Sequence, residues 1–319
     1  MKKFSILTAT YNRAYRLKQT IDSVLAQTHA NFEYWVIDDG STDATPELME
    51  SFKDPRLRYI RFNSSETHAV RYPQHFRECS GDYLLRLDSD DRFLSTDALD
   101  IIARNLTSSP DDEFIHGYLW IDERTHAPID YFTGWQNDRL ALTFEDFLLG
   151  TKGFADVLFI GKRVFWDNFF QFYQHPFNWF TGLWEALLPD GKLRIFRRPL
   201  GVAGWSGTDN VTVLSGGRRL WAMTDEYNTY LAERYRHVLK RAPKRLGYFL
   251  QWAAYYELLL GKKLPALGNL LDSLRHDPAN LRSWSLLALW PLPGSWINAL
   301  LGLRSKLKWT FRKKGDWRS

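Results

Sequence analysis

The first 120 residues alternate short apolar runs with segments of helical spacing, and that alternation leaves little choice of fold. The stretches "FSILTAT" (4–10), "FEYWVIDDG" (32–40), "RLRYIRF" (56–62), "GDYLLRLD" (81–88) and "EFIHGYLWID" (113–122) read as strands. Between the first two, Leu17, Ile21, Val24 and Leu25 recur at helical spacing. "STDATPELMESF" opens with capping residues, carries Pro46 early, and then shows Leu48, Met49 and Phe52 at helical spacing. "STDALDIIARNL" is another capped helix. Strands that alternate with helices need right-handed crossovers, so the reading is α/β: a mostly parallel sheet flanked by helices. In such sheets ligands bind at the carboxyl ends of the strands, where the strand order reverses.

Both acidic clusters of this half fall on those ends. "LLRLDSDDRF" crowds Asp88, Asp90 and Asp91 into four positions directly after an apolar run. Asp88 and Asp90, two apart on an extended segment, point to the same side. Two hard oxygen donors on one side form half a site for Mg²⁺ or Mn²⁺, with waters or substrate phosphates completing the shell. The alternative is a solvated turn with helix-capping acids. "VIDDGSTD" ends a second strand with Asp38 and Asp39, or else forms a βα loop capped by Ser41 or Asp43. "TATYN" ends the first strand with Thr10 and the aromatic Tyr11. An aromatic face for a base, a carboxylate for a base N–H and a divalent cation for phosphates together describe a nucleoside-diphosphate site.

With these residues in place, "SILTATYNRAYRLKQTIDSVLAQTHANFEYWVIDDGSTDAT" followed by "GDYLLRLDSDD" resembles the family 2 glycosyltransferases of the GT-A (Rossmann-like) fold over roughly residues 3 to 120. The resemblance implies a nucleotide-sugar donor, a divalent cation, and transfer with inversion to a glycan or lipid-linked acceptor in polysaccharide or lipopolysaccharide synthesis. It places Tyr11 near the donor base and Asp39 in hydrogen bond to it, with Asp38 as neighbour and Thr10 and Ser89 also facing the donor. It makes Asp88 and Asp90 the metal pair, and Arg71 a donor contact, although "HAVRYPQHFRECSGDY" departs from the family's usual pattern there. Trp205, in "GVAGWSGTDNVT", falls where the family has a segment that covers the donor, or else packs internally.

A larger departure concerns the general base. The family's acidic pair opens a helix several residues before a Trp-containing segment. In "NWFTGLWEALLPDG" that position is held by Trp179 and Phe180, which accept no proton. Glu185 is the nearest acid and His175 the next candidate; a solvated helix residue and a loop histidine are the competing readings. The missing pair also keeps open a catalytically silent, membrane-docked protein that binds nucleotide sugar or glycan.

The chain has 319 residues, one cysteine (Cys79) and a net charge of +5. One cysteine excludes a disulfide framework within the chain, and Cys79 reads as inert. "RSKLKWTFRKKGDWRS" (304–319) holds seven Arg/Lys and one Asp, +6, so the remainder is near −1 (5 − 6). A near-neutral globule with a basic tail argues against nucleic acid as partner. Further strands are expected at 156–160 and 193–197, and helices over 216–276. The expected division is residues 1–215 as the transferase domain (1–120 for the donor, 121–215 for the acceptor), 216–283 as a helical extension and 284–319 as a tail. "WSLLALWPLPGSWINALLGL" (284–303) has the length of a membrane span but is broken by Pro291, Pro293 and Gly294. With its tryptophans and the basic cluster behind it, it reads as a monotopic anchor on the inner face of the cell membrane, the rest being cytoplasmic. The competing reading is an internal packed helix pair.

Overall fold

The computed structural model describes residues 2–63, 75–107, 115–152, 157–166, 193–204, 218–297 and 299–300. The chain divides into two compact units, Met1–Asn210 and Val211–Ser319.

The first unit is built on two buried strands. Every residue of β2 (Phe32–Asp38) and all but one of β1 (Phe4–Thr10) are buried. Buried polar groups there need partners. Ser5 Oγ donates to Glu33 Oε1 at 2.6 Å and accepts from Gly81 N at 2.8 Å, and Tyr34 OH donates to Thr8 Oγ1 at 3.0 Å. Helix α1 (Ala14–Leu25) buries Leu17, Thr20, Ile21 and Val24, the face its spacing foretold. Helix α2 (Thr45–Ser51) opens with Pro46, and α3 (Ala98–Thr107) buries Leu99, Ile102 and Leu106.

The remaining strands are β3 (Leu57–Arg61), β4 (Tyr83–Arg86), β5 (Arg92–Phe93), β6 (Ile115–Asp122), β7 (Arg139–Leu142), β8 (Leu158–Lys162) and β9 (Leu193–Ala203); α4 (Phe144–Leu149) lies between β7 and β8. Among the described residues they form a nine-stranded sheet in the order β3-β2-β1-β4-β8-β6-β9-β5, with β7 paired to β9. The sheet is mixed. β3, β2, β1 and β4 are parallel, where strand and helix alternate; β8 runs antiparallel between β4 and β6, while β6 and β9 are parallel. The chain leaves β1 for β2 and β3 on one side and returns as β4 on the other. The strand order therefore reverses between β1 and β4.

Strand β9 runs beyond the expected 193–197 and passes through Pro199. A Pro donates no ladder hydrogen bond. The strand survives because the β6–β9 register shifts at Leu119↔Pro199 and resumes at Trp120↔Gly201. The short strands β5 and β7 were not foreseen: two and four residues are too few for a period to show.

The second unit is helical: α5 (Arg218–Arg234), α6 (Arg236–Leu239), α7 (Pro243–Leu260), α8 (Lys263–His276) and α9 (Leu281–Leu289). Ala254, Leu258, Ala266, Leu270, Leu286 and Ile297 share its core. The stretch from 284 therefore gives one side to this core, with the Trp290 ring N–H donating to Lys263 O at 2.8 Å, while Trp284 and Trp296 stay exposed. No helix among the described residues is long and apolar enough to cross a membrane.

Glu257 is buried in this unit, accepting from Asn269 Nδ2 at 2.9 Å, while Asp225 pairs with Lys262 at 2.8 Å. Burial pushes the Glu257 carboxyl up to about 7. Its folded value is raised, so the stability it contributes is complete below the usual carboxylate range and is lost as pH rises through neutrality. Glu257→Gln is expected to flatten that loss: its melting temperature relative to wild type should climb between about pH 5 and about pH 8, corresponding to on the order of 2 kcal/mol. A difference that does not change with pH would contradict the assignment.

Candidate active site

The carboxyl ends of β1, β2 and β4 lie side by side. Thr10 pairs with Asp38, Asp39 N donates to Thr10 O at 3.0 Å, and Leu87 N donates to Leu7 O at 3.0 Å. The loops after β1 and β2 are laced together. Asn12 adopts a φ of 52°, an αL conformation that Asn tolerates. Its Oδ1 accepts from Thr42 N at 2.6 Å, and its own N–H donates to Ser41 Oγ at 2.9 Å. Asp43 accepts from Ala14 N at 3.0 Å and from Thr45 Oγ1 at 2.6 Å. Burial raises the Asp43 carboxyl, but the bonds from Thr45 and Ala14 outweigh it and hold the group below its usual range. This lacing leaves Tyr11 exposed at the rim.

The acids of "DDGS" divide the work. Asp38 is fully buried and accepts from Ser41 N at 2.8 Å and from Tyr59 OH at 2.5 Å, with Arg61 Nε 3.8 Å away. Desolvation, then the neighbouring carboxylate, raises the Tyr59 phenol above its ordinary value. Asp38, read from the sequence as a donor-binding residue, is thus occupied by the framework, because its oxygens are turned into the βα loop and strand β3. Asp39, the next residue, is also buried. Thr10 Oγ1 is buried without a hydrogen-bond partner among the described residues.

The aspartates after β4 have three different surroundings. Asp88 meets Arg86 Nη2 at 2.6 Å and is half exposed. Asp90 meets Arg13 Nη1 at 2.8 Å and is far less exposed. Asp91 turns the other way. Its N–H donates to Asp88 O at 3.0 Å, its carbonyl accepts from Thr20 Oγ1 at 2.7 Å, and its Oδ1 accepts from Gly204 N at 2.9 Å. Ser89 between them is buried. At Gly204 a Cβ would overlap the Asp90 carbonyl, so only glycine lets the end of β9 lie this close. Glu123, at the end of β6, is held by Arg16 at 2.8 Å and Arg92 at 2.7 Å.

Among the described residues there is no group of three or more His, Cys, Asp or Glu that would cage a metal. Two carboxylates make half a shell for a hard divalent cation, which would take its other oxygens from water and a diphosphate; Asp88 and Asp90 are the pair the sequence offers for that role. Arg71, His175, Glu185 and Trp205 lie outside the described residues. Cys79 is buried, and burial pushes its thiol up to about 12, as an inert cysteine requires.

Residues 5–155 match the model of glycosyl transferase family 2. That match spans 151 of the chain's 319 residues. The chain is 42% identical over 92 residues to an uncharacterized glycosyltransferase of Rickettsia felis, a match covering 28% of this chain and 15% of that protein. Over 96 residues it is 34% identical to the E. coli UDP-Glc:alpha-D-GlcNAc-diphosphoundecaprenol beta-1,3-glucosyltransferase WfaP, covering 30% of this chain and 38% of the relative. The chain thus spans well under two thirds of these curated relatives. Across 99% of its length it superposes on 93% of S. aureus TarS 1-349 in complex with UDP-GlcNAc, with a TM-score of 0.58 and 14% identity, a likeness of fold.

Sequence reasoning passed over Arg13, Gly204 and Glu123, and named Asp91 only as part of the acidic cluster. Arg13 follows "TYN" directly, but nothing in its position reveals a partner in another loop. If Asp38 is a framework group, Asp38→Asn should destabilise the fold by roughly 1–3 kcal/mol, since buried donors lose a charged acceptor. Chemical denaturation measures this, and an unmoved midpoint would return Asp38 to the ligand. Gly204→Ala should leave the fold intact but displace the Asp90 turn. Calorimetric titration with nucleoside diphosphate should then show weaker binding by roughly tenfold or more, the scale of one displaced charged contact.

Proposed function

We propose that this chain transfers a sugar from a nucleotide-sugar donor to a glycan or lipid-linked acceptor in bacterial surface-polysaccharide assembly. The observation that carries the reading is the convergence of Tyr11, Asp39 and the Asp88–Asp90 pair on the switch point between β1 and β4, in the segment that matches family 2. Tyr11 offers an exposed ring to the base, Asp39 accepts from a base N–H, and Thr10 and Ser89 border the same crevice. Asp88 and Asp90 hold a divalent cation, Mg²⁺ or Mn²⁺, which when bound neutralises charge developing on the departing diphosphate. Arg71 and Trp205 are assigned to the donor on sequence grounds.

The acceptor hydroxyl attacks the anomeric carbon from the face opposite the nucleoside diphosphate, with inversion, as it loses its proton to a general base. Glu185 is the proposed base and His175 the alternative. A diphosphate-linked polyprenyl acceptor, of the kind in the E. coli relative's name, is consistent with membrane docking through the exposed Trp284 and Trp296 and the seven Arg/Lys of 304–319. Each basic residue near an anionic surface contributes about 1 kcal/mol. Trp179 and Phe180, standing where the family has its acidic pair, favour a second reading: a membrane-docked binder of nucleotide sugar or glycan without turnover.

The test is a thermal-shift panel of nucleoside diphosphates and nucleotide sugars with and without Mn²⁺, followed by donor-hydrolysis assays. One nucleotide should raise the midpoint only with metal, and Asp90→Ala should abolish the rise. No shift for any nucleotide rejects the transferase reading. Wild-type hydrolysis of the bound donor that falls at least about 100-fold in Glu185→Gln, the usual scale for a general base, separates enzyme from silent binder and assigns the base.

A further inference from the structure

The cation that the Asp88-Ser89-Asp90 turn calls for already has a stand-in. Arg13 Nη1 lies 2.8 Å from Asp90 Oδ2, and both side chains are shielded, 8% and 14% exposed. The Arg86–Asp88 contact is more open, 28% and 48% exposed, so water screens it more. A Mg²⁺ or Mn²⁺ ion needs the same carboxylate oxygens at about 2 Å, closer than a guanidinium can remain beside it. Ion and guanidinium therefore compete for Asp90, whereas Asp88 is released at little cost.

The anchor of Arg13 does not move with its side chain. Arg13 is the residue before α1, its carbonyl accepts from Arg16 N and Leu17 N at 2.9 Å, and the preceding Asn12 is laced to Thr42 and Ser41. A guanidinium displaced from Asp90 swings on a fixed backbone and stays beside the turn. Its planar fork matches the oxygens of a phosphate.

We propose that Arg13 is a switching positioning residue: it neutralises Asp90 when no divalent ion is bound, gives up that carboxylate to the ion, and passes to the donor diphosphate. Metal and diphosphate then bind with positive coupling, because each relieves a cost imposed by the Arg13–Asp90 pair. The inference rests on the metal reading of Asp88 and Asp90 given above.

The experiment uses the full chain, Mn²⁺ as metal and inorganic pyrophosphate as a base-independent probe. Free Mn²⁺ is read by electron paramagnetic resonance, and pyrophosphate binding at saturating Mn²⁺ by calorimetry. Arg13→Gln is expected to bind Mn²⁺ alone about tenfold more tightly than wild type, and pyrophosphate about tenfold more weakly, since the competitor and the fork are both gone. Arg16→Gln removes the same charge one turn away, where the partner is Glu123, and should stay within about twofold on both counts. Equal shifts in the two variants would reduce the effect to general electrostatics and overturn the switch. Unchanged or weaker Mn²⁺ binding in Arg13→Gln would overturn it too. Mn²⁺ bound by no form of the chain, with or without pyrophosphate, would remove the metal reading itself and the switch with it. Should Arg13→Gln not fold, Arg13→Lys keeps the charge without the fork. Mn²⁺ affinity raised by a smaller factor supports the switch, and no rise overturns it.

Discussion

Five carboxylates, Asp38, Asp39, Asp88, Asp90 and Asp91, cluster at the ends of two strands, β2 and β4, on either side of β1, and the first unit is organised around compensating them. Coulomb repulsion at such spacing is strong where water is excluded. The compensation comes from elsewhere in the chain: Tyr59 and Arg61 on β3 for Asp38, Arg13 before α1 for Asp90, and the amide of Gly204 after β9 for Asp91. Asp38, Asp90 and Asp91 therefore each tie their own loop to another element. The charge crowding that costs stability also fixes the loops a donor would meet.

Much of this was legible in the sequence, and the limits have physical causes. Strands buried on both sides announce themselves as apolar runs, so β1, β2, β4 and β6 were found, while the two residues of β5 carry no period. The expected strand at 193–197 fell short of Ala203; the bulge that carries β9 past Pro199 depends on β6, which no local reading sees. The D-x-D spacing drew the eye to Asp88 and Asp90 as a pattern. It could not say that Asp91 would turn away, since the group that takes it is 113 residues further on. Asp38 and Asp39 are equivalent on paper and differ in the fold because β3 brings Tyr59 to one of them.

The helical unit shows the same division between pattern and partner. Its apolar spacing foretold the helices, but not that Glu257 would be buried beside the Asp225–Lys262 pair. The tryptophan-rich stretch after Pro278 serves two surroundings at once: Leu286 and Ile297 belong to the core, and Trp284 and Trp296 do not. Composition alone reads such a stretch as one thing, because it cannot assign residues to sides.

The register shift at Pro199 makes β9 a measuring rod. From that point four further residues run to Ala203, and the next amide is the one that Asp91 holds. Length between the bulge and Gly204 is therefore fixed as tightly as any side chain: one residue more or fewer there would bring a neighbouring residue, with its Cβ, against the Asp90 carbonyl. The turn at 124–127, beyond the tethered Glu123, faces solvent and has no such gauge. Lineages of this chain should thus vary freely in loop length at one end of β6 while keeping the count in β9, a constraint on insertions and deletions rather than on residue type.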